Sequence, residues 1–148
     1  MKTIKTFELK IKRISVSEEN KPYGQTIGAP EQAASIAKQL IGNDVRECIL
    51  AFFLDRQNRI IGCHEVSKGN MDSCSLDPRH LFRVALEVGT IGMILAHNHP
   101  SGVCEPSRID IKLTEKIASA CTLLGIELLD HVIVSDSSHY SMREHNTL

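Results

Sequence analysis

The chain has 148 residues, 42% apolar and 24% charged, with a formal net charge of −1 at neutral pH. That is enough chain to bury a core in one domain, and so small a net charge argues against a general attraction to nucleic acid. No apolar run approaches the ~20 residues that span a bilayer, and the start, with its lysines, lacks the continuous apolar core of a signal peptide. The expectation is therefore no membrane partner and a cytoplasmic location.

In chain order, residues 7–16 (FELKIKRISV) alternate apolar and polar, the period of a strand. This first stretch is locally basic: Lys2, Lys5, Lys10, Lys12, Arg13 and Lys21 stand against Glu8, Glu18 and Glu19. A solvated edge strand accounts for that without any partner. A turn-rich connection follows, and residues 1–25 are read as an N-terminal strand and its link to a domain over 26–148. Pro30 to Gly42 reads as a helix burying Ala33, Ile36, Ala37, Leu40 and Ile41, with Gly42 as its stop.

ECILAFFLD and RIIGCHEVSKGN read as two strands joined by a turn at RQN, a hairpin. A second helix follows, with Asp77 as cap, Pro78 in its first turn and Gly89 at its end. TIGMILAH is a buried strand. Ser107 to Leu124 is the longest helix, with Leu113, Ile117, Ala120, Cys121 and Leu124 as its inner stripe and Gly125 as its stop. IELLDHVIVSD is a further strand, and HYSMRE a short last one. Strands mixed with helices, one hairpin included, predict an α/β single-domain layered sandwich, a mixed β-sheet flanked by helices.

Five cysteines, an odd number without a CxxC pair, suit free thiols in a reducing compartment. Cys48, Cys63 and Cys121 lie in apolar patterns and are expected in the core.

The chemistry concentrates in ILAHNHPSGVCEPSRID, residues 94–110. His97 and His99 end a buried strand, and residues two apart on a strand face the same side. Asp110 falls in the first turn of the next helix. If the intervening loop folds back, two imidazoles and a carboxylate make a three-ligand site with one open position, the pattern of catalytic Zn²⁺. Spacing alone leaves a second reading equally open, because Ser107 and Asp110 also form a capping-box pattern with a purely structural role. HEVSK is not a zincin motif, since Lys68 stands where the second His belongs. No PCxxC, P-loop or GxGxxG occurs.

HNHPSGVCEPSRID fits H-x-H-x7-S-x-x-D at every specified position, and so resembles the metal motif of the JAB/MPN+ (JAMM) metalloproteases. Its Pro-Ser-Gly and PSRxD flanks, with HEVSKG upstream and LLGIELLDHVIVSD downstream, resemble the RadC branch from about Thr26 onward. The resemblance implies a JAB/MPN fold, similar to that of cytidine deaminases. It implies Zn²⁺ held by His97, His99 and Asp110, with Ser107 donating to the oxyanion. It also implies an upstream catalytic Glu, assigned here to Glu65. Taken alone, Glu65 reads more plainly as an outward-facing strand residue paired with Lys68, and the resemblance reverses that preference.

The implied activity is hydrolysis of a peptide or isopeptide bond in an unidentified protein substrate. The alternative is a non-catalytic accessory module associated with protein or DNA, as in DNA repair or mobile elements. Longer members carry an N-terminal helix-hairpin-helix region, and a DNA role tied to that region is not expected of this sequence. His64 should face away from Glu65. His80, His139 and His145 should lie at the surface, His131 should be a satisfied core histidine, and Cys104 should be incidental.

Overall fold

The structure is a computed structural model and describes residues 22–69 and 76–148. Its elements run α1 (Pro30–Ile41), β1 (Cys48–Leu54), β2 (Ile60–Lys68), α2 (Pro78–Val88), β3 (Gly92–Asn98), α3 (Arg108–Leu124), β4 (Glu127–Val134) and β5 (His139–Ser141). The strands form one mixed sheet in the order β2-β1-β3-β4-β5, in which β3 and β4 are parallel and every other pair is antiparallel. The expected α/β sandwich with its hairpin is therefore present. The expected strand over residues 7–16 lies outside the described residues.

Each face of the sheet carries its own core, because alternate strand residues point to opposite sides. Cys48, Leu50, Phe52, Ile94, Ala96, Val132 and Val134 pack on one face with α1. Ile49, Ala51, Phe53, Met93 and Leu95 pack on the other with Leu81, Phe82 and Ala85 of α2 and Ile117 and Cys121 of α3. All seven residues of β1 and of β3 are buried, as expected for central strands covered on both sides.

The helix boundaries follow local chemistry. Asp77 caps α2 by accepting from the Arg79 N–H at 2.9 Å, and Gly89 closes that helix at φ 69° in the left-handed region that favours glycine. Gly125 closes α3 in the same way at φ 70°. Three expectations of burial fail. Leu40 and Leu124 lie in the last turns of α1 and α3, and both are exposed. Cys63 is exposed on β2, an edge strand of the sheet. On α3, Ile117 and Cys121 are buried and Leu113 and Ala120 pack against the core partly buried, as expected, while Asp110 and Thr114 add two buried polar positions. Among the described residues, no helix is long and apolar enough to cross a membrane.

Candidate metal centre

The site forms where β3 runs out into the loop leading to α3. His97 pairs directly with Ile49 of β1, so it lies on the α2/α3 face with Ile49. It is 1% exposed. His99 follows just beyond the strand end, where its N–H donates to the Val134 carbonyl at 2.8 Å. The two rings meet edge to face with centroids 4.6 Å apart. The loop then turns back on itself. His99 Nδ1 lies 2.6 Å from the Val103 carbonyl, which can only accept, so Nδ1 carries the proton and Nε2 keeps its lone pair.

Ser107 caps α3 and brings in Asp110. Asp110 Oδ2 accepts from the Ser107 N–H and from the Ser107 hydroxyl, both at 2.7 Å, and the Asp110 N–H donates to Ser107 Oγ at 3.1 Å. The capping box is therefore formed, and the same box aims Asp110 at the histidines. Asp110 Oδ1 is 3.5 Å from His97 Nδ1, and Oδ2 is 3.5 Å from His99 Nε2. Cap and cluster are one arrangement, because the first turn of α3 faces the end of β3.

A further acidic residue, missed from the sequence, completes the group. Glu47 stands one residue before β1, two before Ile49, and its Oε2 lies 3.7 Å from His97 Nε2. Ligand atoms of Glu47, His97 and His99 all lie within 4.8 Å of one another.

Glu65 is not brought to this cluster. It is exposed on β2 and pairs with Leu50, which in turn pairs with Ala96. That row faces α1, so Glu65 is on the opposite side of the sheet from His97 and two strands away. The plainer reading of Glu65 as an outward-facing residue describes its position, although Lys68 pairs with Asp44 instead. The available signal for Glu47 was ECILAFFLD itself: a carboxylate opening the fully buried strand that pairs with the histidine strand.

The electrostatics follow from this crowding. Burial works against ionisation of Asp110, but the facing His99 ring and the two bonds from Ser107 outweigh it and hold the carboxyl well below the usual carboxylate range. Burial pushes His97 down from 6.5 to about 4, partly opposed by Asp110. His99 is raised, first by Asp110. Both ring nitrogens of His97 are buried without a hydrogen-bond partner among the described residues, an expensive state for polar atoms. Two carboxylates and two imidazoles thus converge at distances too long for good hydrogen bonds, with Asp110 against His97 Nδ1 and Glu47 against His97 Nε2. That donor set fits a divalent cation of the zinc type, which takes imidazole nitrogen and carboxylate oxygen.

The remaining histidines divide. His64 faces His80, with Nε2 atoms 2.8 Å apart, and His80 and His145 are exposed while His139 is half-buried. His131 is fully buried and stacks on His97, and its Nε2 has no partner among the described residues. It is a core histidine, partnered at Nδ1 by Thr114 Oγ1 at 2.6 Å and unpartnered at Nε2, and its ring lies behind the site. Cys104 is buried, with its Sγ 3.2 Å from Ser138 Oγ.

The family described as RadC-like JAB domain matches residues 27–147. A UPF0758 protein of Photobacterium profundum is 37% identical over 131 residues, covering 88% of this chain and 58% of the relative. A UPF0758 protein of Janthinobacterium sp. is 36% identical over 140 residues, covering 95% of this chain and 62% of the relative. One from Aquifex aeolicus is 37% identical over 123 residues, covering 83% and 53%. The chain thus spans roughly six-tenths of the length of the curated relatives it matches.

Proposed function

This chain belongs to the RadC-like JAB domain family, and on that premise we propose that it is a zinc-dependent hydrolase acting on a peptide or isopeptide bond. The observation that carries the proposal is the convergence of His99 and Asp110, with Glu47 at their edge, on His97, whose two buried ring nitrogens have no hydrogen-bond partner among the described residues. His97, His99 and Asp110 would hold the ion. When bound, Zn²⁺ supplies a Lewis acid for a scissile carbonyl and for a water molecule.

The other steps belong to the chain. Glu47 is the carboxylate placed to accept a proton and return it to a leaving amine. Unlike Asp110, it is partly solvent-exposed, which lets a substrate approach it. Ser107 is exposed at the mouth of the site. Its one hydroxyl proton rests on Asp110, whose Oδ2 keeps the Ser107 N–H when the hydroxyl turns away. Ser107 is thereby free to donate to a developing oxyanion without stripping Asp110 of its support. His99 is oriented by Val103 and Asp110 by Ser107, so the groups are held rigid before substrate arrives.

Elemental analysis of natively purified protein tests the metal. About one zinc per chain is expected, falling to background in His97→Ala and Asp110→Ala. Equal zinc in all three would overturn the proposal. Mass-spectrometric profiling of cleavage in peptide and isopeptide libraries then tests the hydrolysis, with Glu47→Gln as the inactive control.

A further inference from the structure

Asn98 stands between the two histidines, yet it is not among the groups that meet there. On an extended strand its side chain projects to the opposite face from His97, and it is only 2% exposed. The amide reaches the chain that leads into β1. Its Oδ1 accepts from the Cys48 N–H at 2.6 Å, and its Nδ2 donates to the carbonyls of Arg46 at 3.0 Å and Asp44 at 3.2 Å. The reverse assignment of amide oxygen and nitrogen would set donor against donor and acceptor against two acceptors, so these partners fix the orientation.

The Arg46 carbonyl belongs to the peptide unit before Glu47, and the Cys48 N–H to the unit after it. A single side chain therefore holds both planar units that flank the Glu47 Cα, which constrains its φ and ψ. The Glu47 carbonyl is itself taken by the Gly69 N–H at 3.0 Å. Residues 43–47 lie outside any helix or strand. The amide of the residue between the two histidines, together with the Gly69 N–H, thus sets the launch point of the Glu47 side chain.

We propose that Asn98 is a positioning residue that fixes the Glu47-bearing turn to the histidine strand and so holds the Glu47 carboxylate against His97. The proposal deepens the metal-site function and rests on it for the role of Glu47. The contact itself does not depend on metal, and this separates the two in experiment.

The test uses the full chain with Asn98→Ala, and Asn98→Asp as a second variant that keeps size and acceptor but removes both donors. Glu47→Ala and the double variant complete a cycle. Circular dichroism establishes folding. Amide hydrogen exchange without metal reads the turn, and exchange at Cys48 is expected to be faster by about tenfold or more, with β3 and β4 unchanged. The visible spectrum of the Co²⁺-loaded protein reads the site. Asn98→Ala should shift it as Glu47→Ala does, and the double variant should add nothing further.

A folded Asn98 variant with unchanged exchange at Cys48 overturns the proposal. So does faster exchange with an unaltered Co²⁺ spectrum, because a mere staple would behave that way. Failure of the unmodified chain to bind Co²⁺ overturns the metal-site function instead, and the exchange result still decides whether Asn98 holds the turn.

Discussion

The ring of His131 lies stacked behind that of His97, with centroids 5.8 Å apart and planes inclined by 27°. Neither ring reaches solvent. Burial, with His97 adding to it, pushes His131 down from 6.5 to about 3, and burial pushes His97 to about 4. Both are neutral in the folded, metal-free chain at pH 7.

Acid should therefore unfold the metal-free protein early. Between those lowered values and 6.5, the folded state binds fewer protons than the unfolded one, so stability rises with pH. The contribution is fully present above about 6.5 and is lost as pH falls toward 4 and then 3. Depression of Asp110 acts in the same direction at lower pH, while the raised His99 opposes it in part. Urea midpoints measured in chelator should fall steadily between about pH 7 and pH 4, and His131→Gln should flatten the slope. A pH-independent midpoint would show that these rings are not buried as neutral bases.

Thr114 links this pair to α3. Its Oγ1 lies 2.7 Å from the Asp110 carbonyl, to which only the hydroxyl can donate, so the His131 Nδ1–H donates to Thr114 at 2.6 Å. Thr114→Val keeps the shape and strands that N–H. The expected loss is about 1–3 kcal/mol, measured by chemical denaturation with far-ultraviolet dichroism unchanged. A loss within the scatter of exposed substitutions would mean that His131 finds another partner.

Glu47 and Glu65 offer a matched comparison, since each is a strand-associated carboxylate within one hairpin and only Glu47 lies beside His97. Glu47→Gln should retain zinc and lose hydrolysis by about a hundredfold or more, the scale of general acid–base catalysis. Glu65→Gln should leave both unchanged. Parallel rates and zinc contents in the two variants, with cleavage as the readout, decide the assignment. Full cleavage by Glu47→Gln would remove Glu47 from the chemistry.

That comparison marks where the sequence was legible and where it was not. The hairpin, the capped α2 and α3, and the buried strands could be read directly, because apolar period and capping chemistry are local. The cluster of His97, His99 and Asp110 could be anticipated from one contiguous stretch, since a strand end and the first turn of the next helix are neighbours in sequence and in space. Glu47 lies 50 residues before His97, and only the antiparallel pairing of Ile49 with His97 brings it near. Cross-strand register is not written in period or spacing, so the suggestive HEVSKG drew attention to Glu65, whereas the fold sets Glu47 beside His97. Thr114 escaped for a related reason: it meets His131 from a different element and carries no local signature.

The most direct measurement is a crystal structure with diffraction recorded on both sides of the zinc absorption edge. One anomalous peak is expected at bonding distance, about 2.0–2.2 Å, from His97, His99 and Asp110, with the Glu47 carboxylate facing its open side and no zinc at Glu65. A zinc-loaded crystal with no peak at His97 and His99, or with the peak held by other residues, would contradict the site on which the proposed hydrolysis depends.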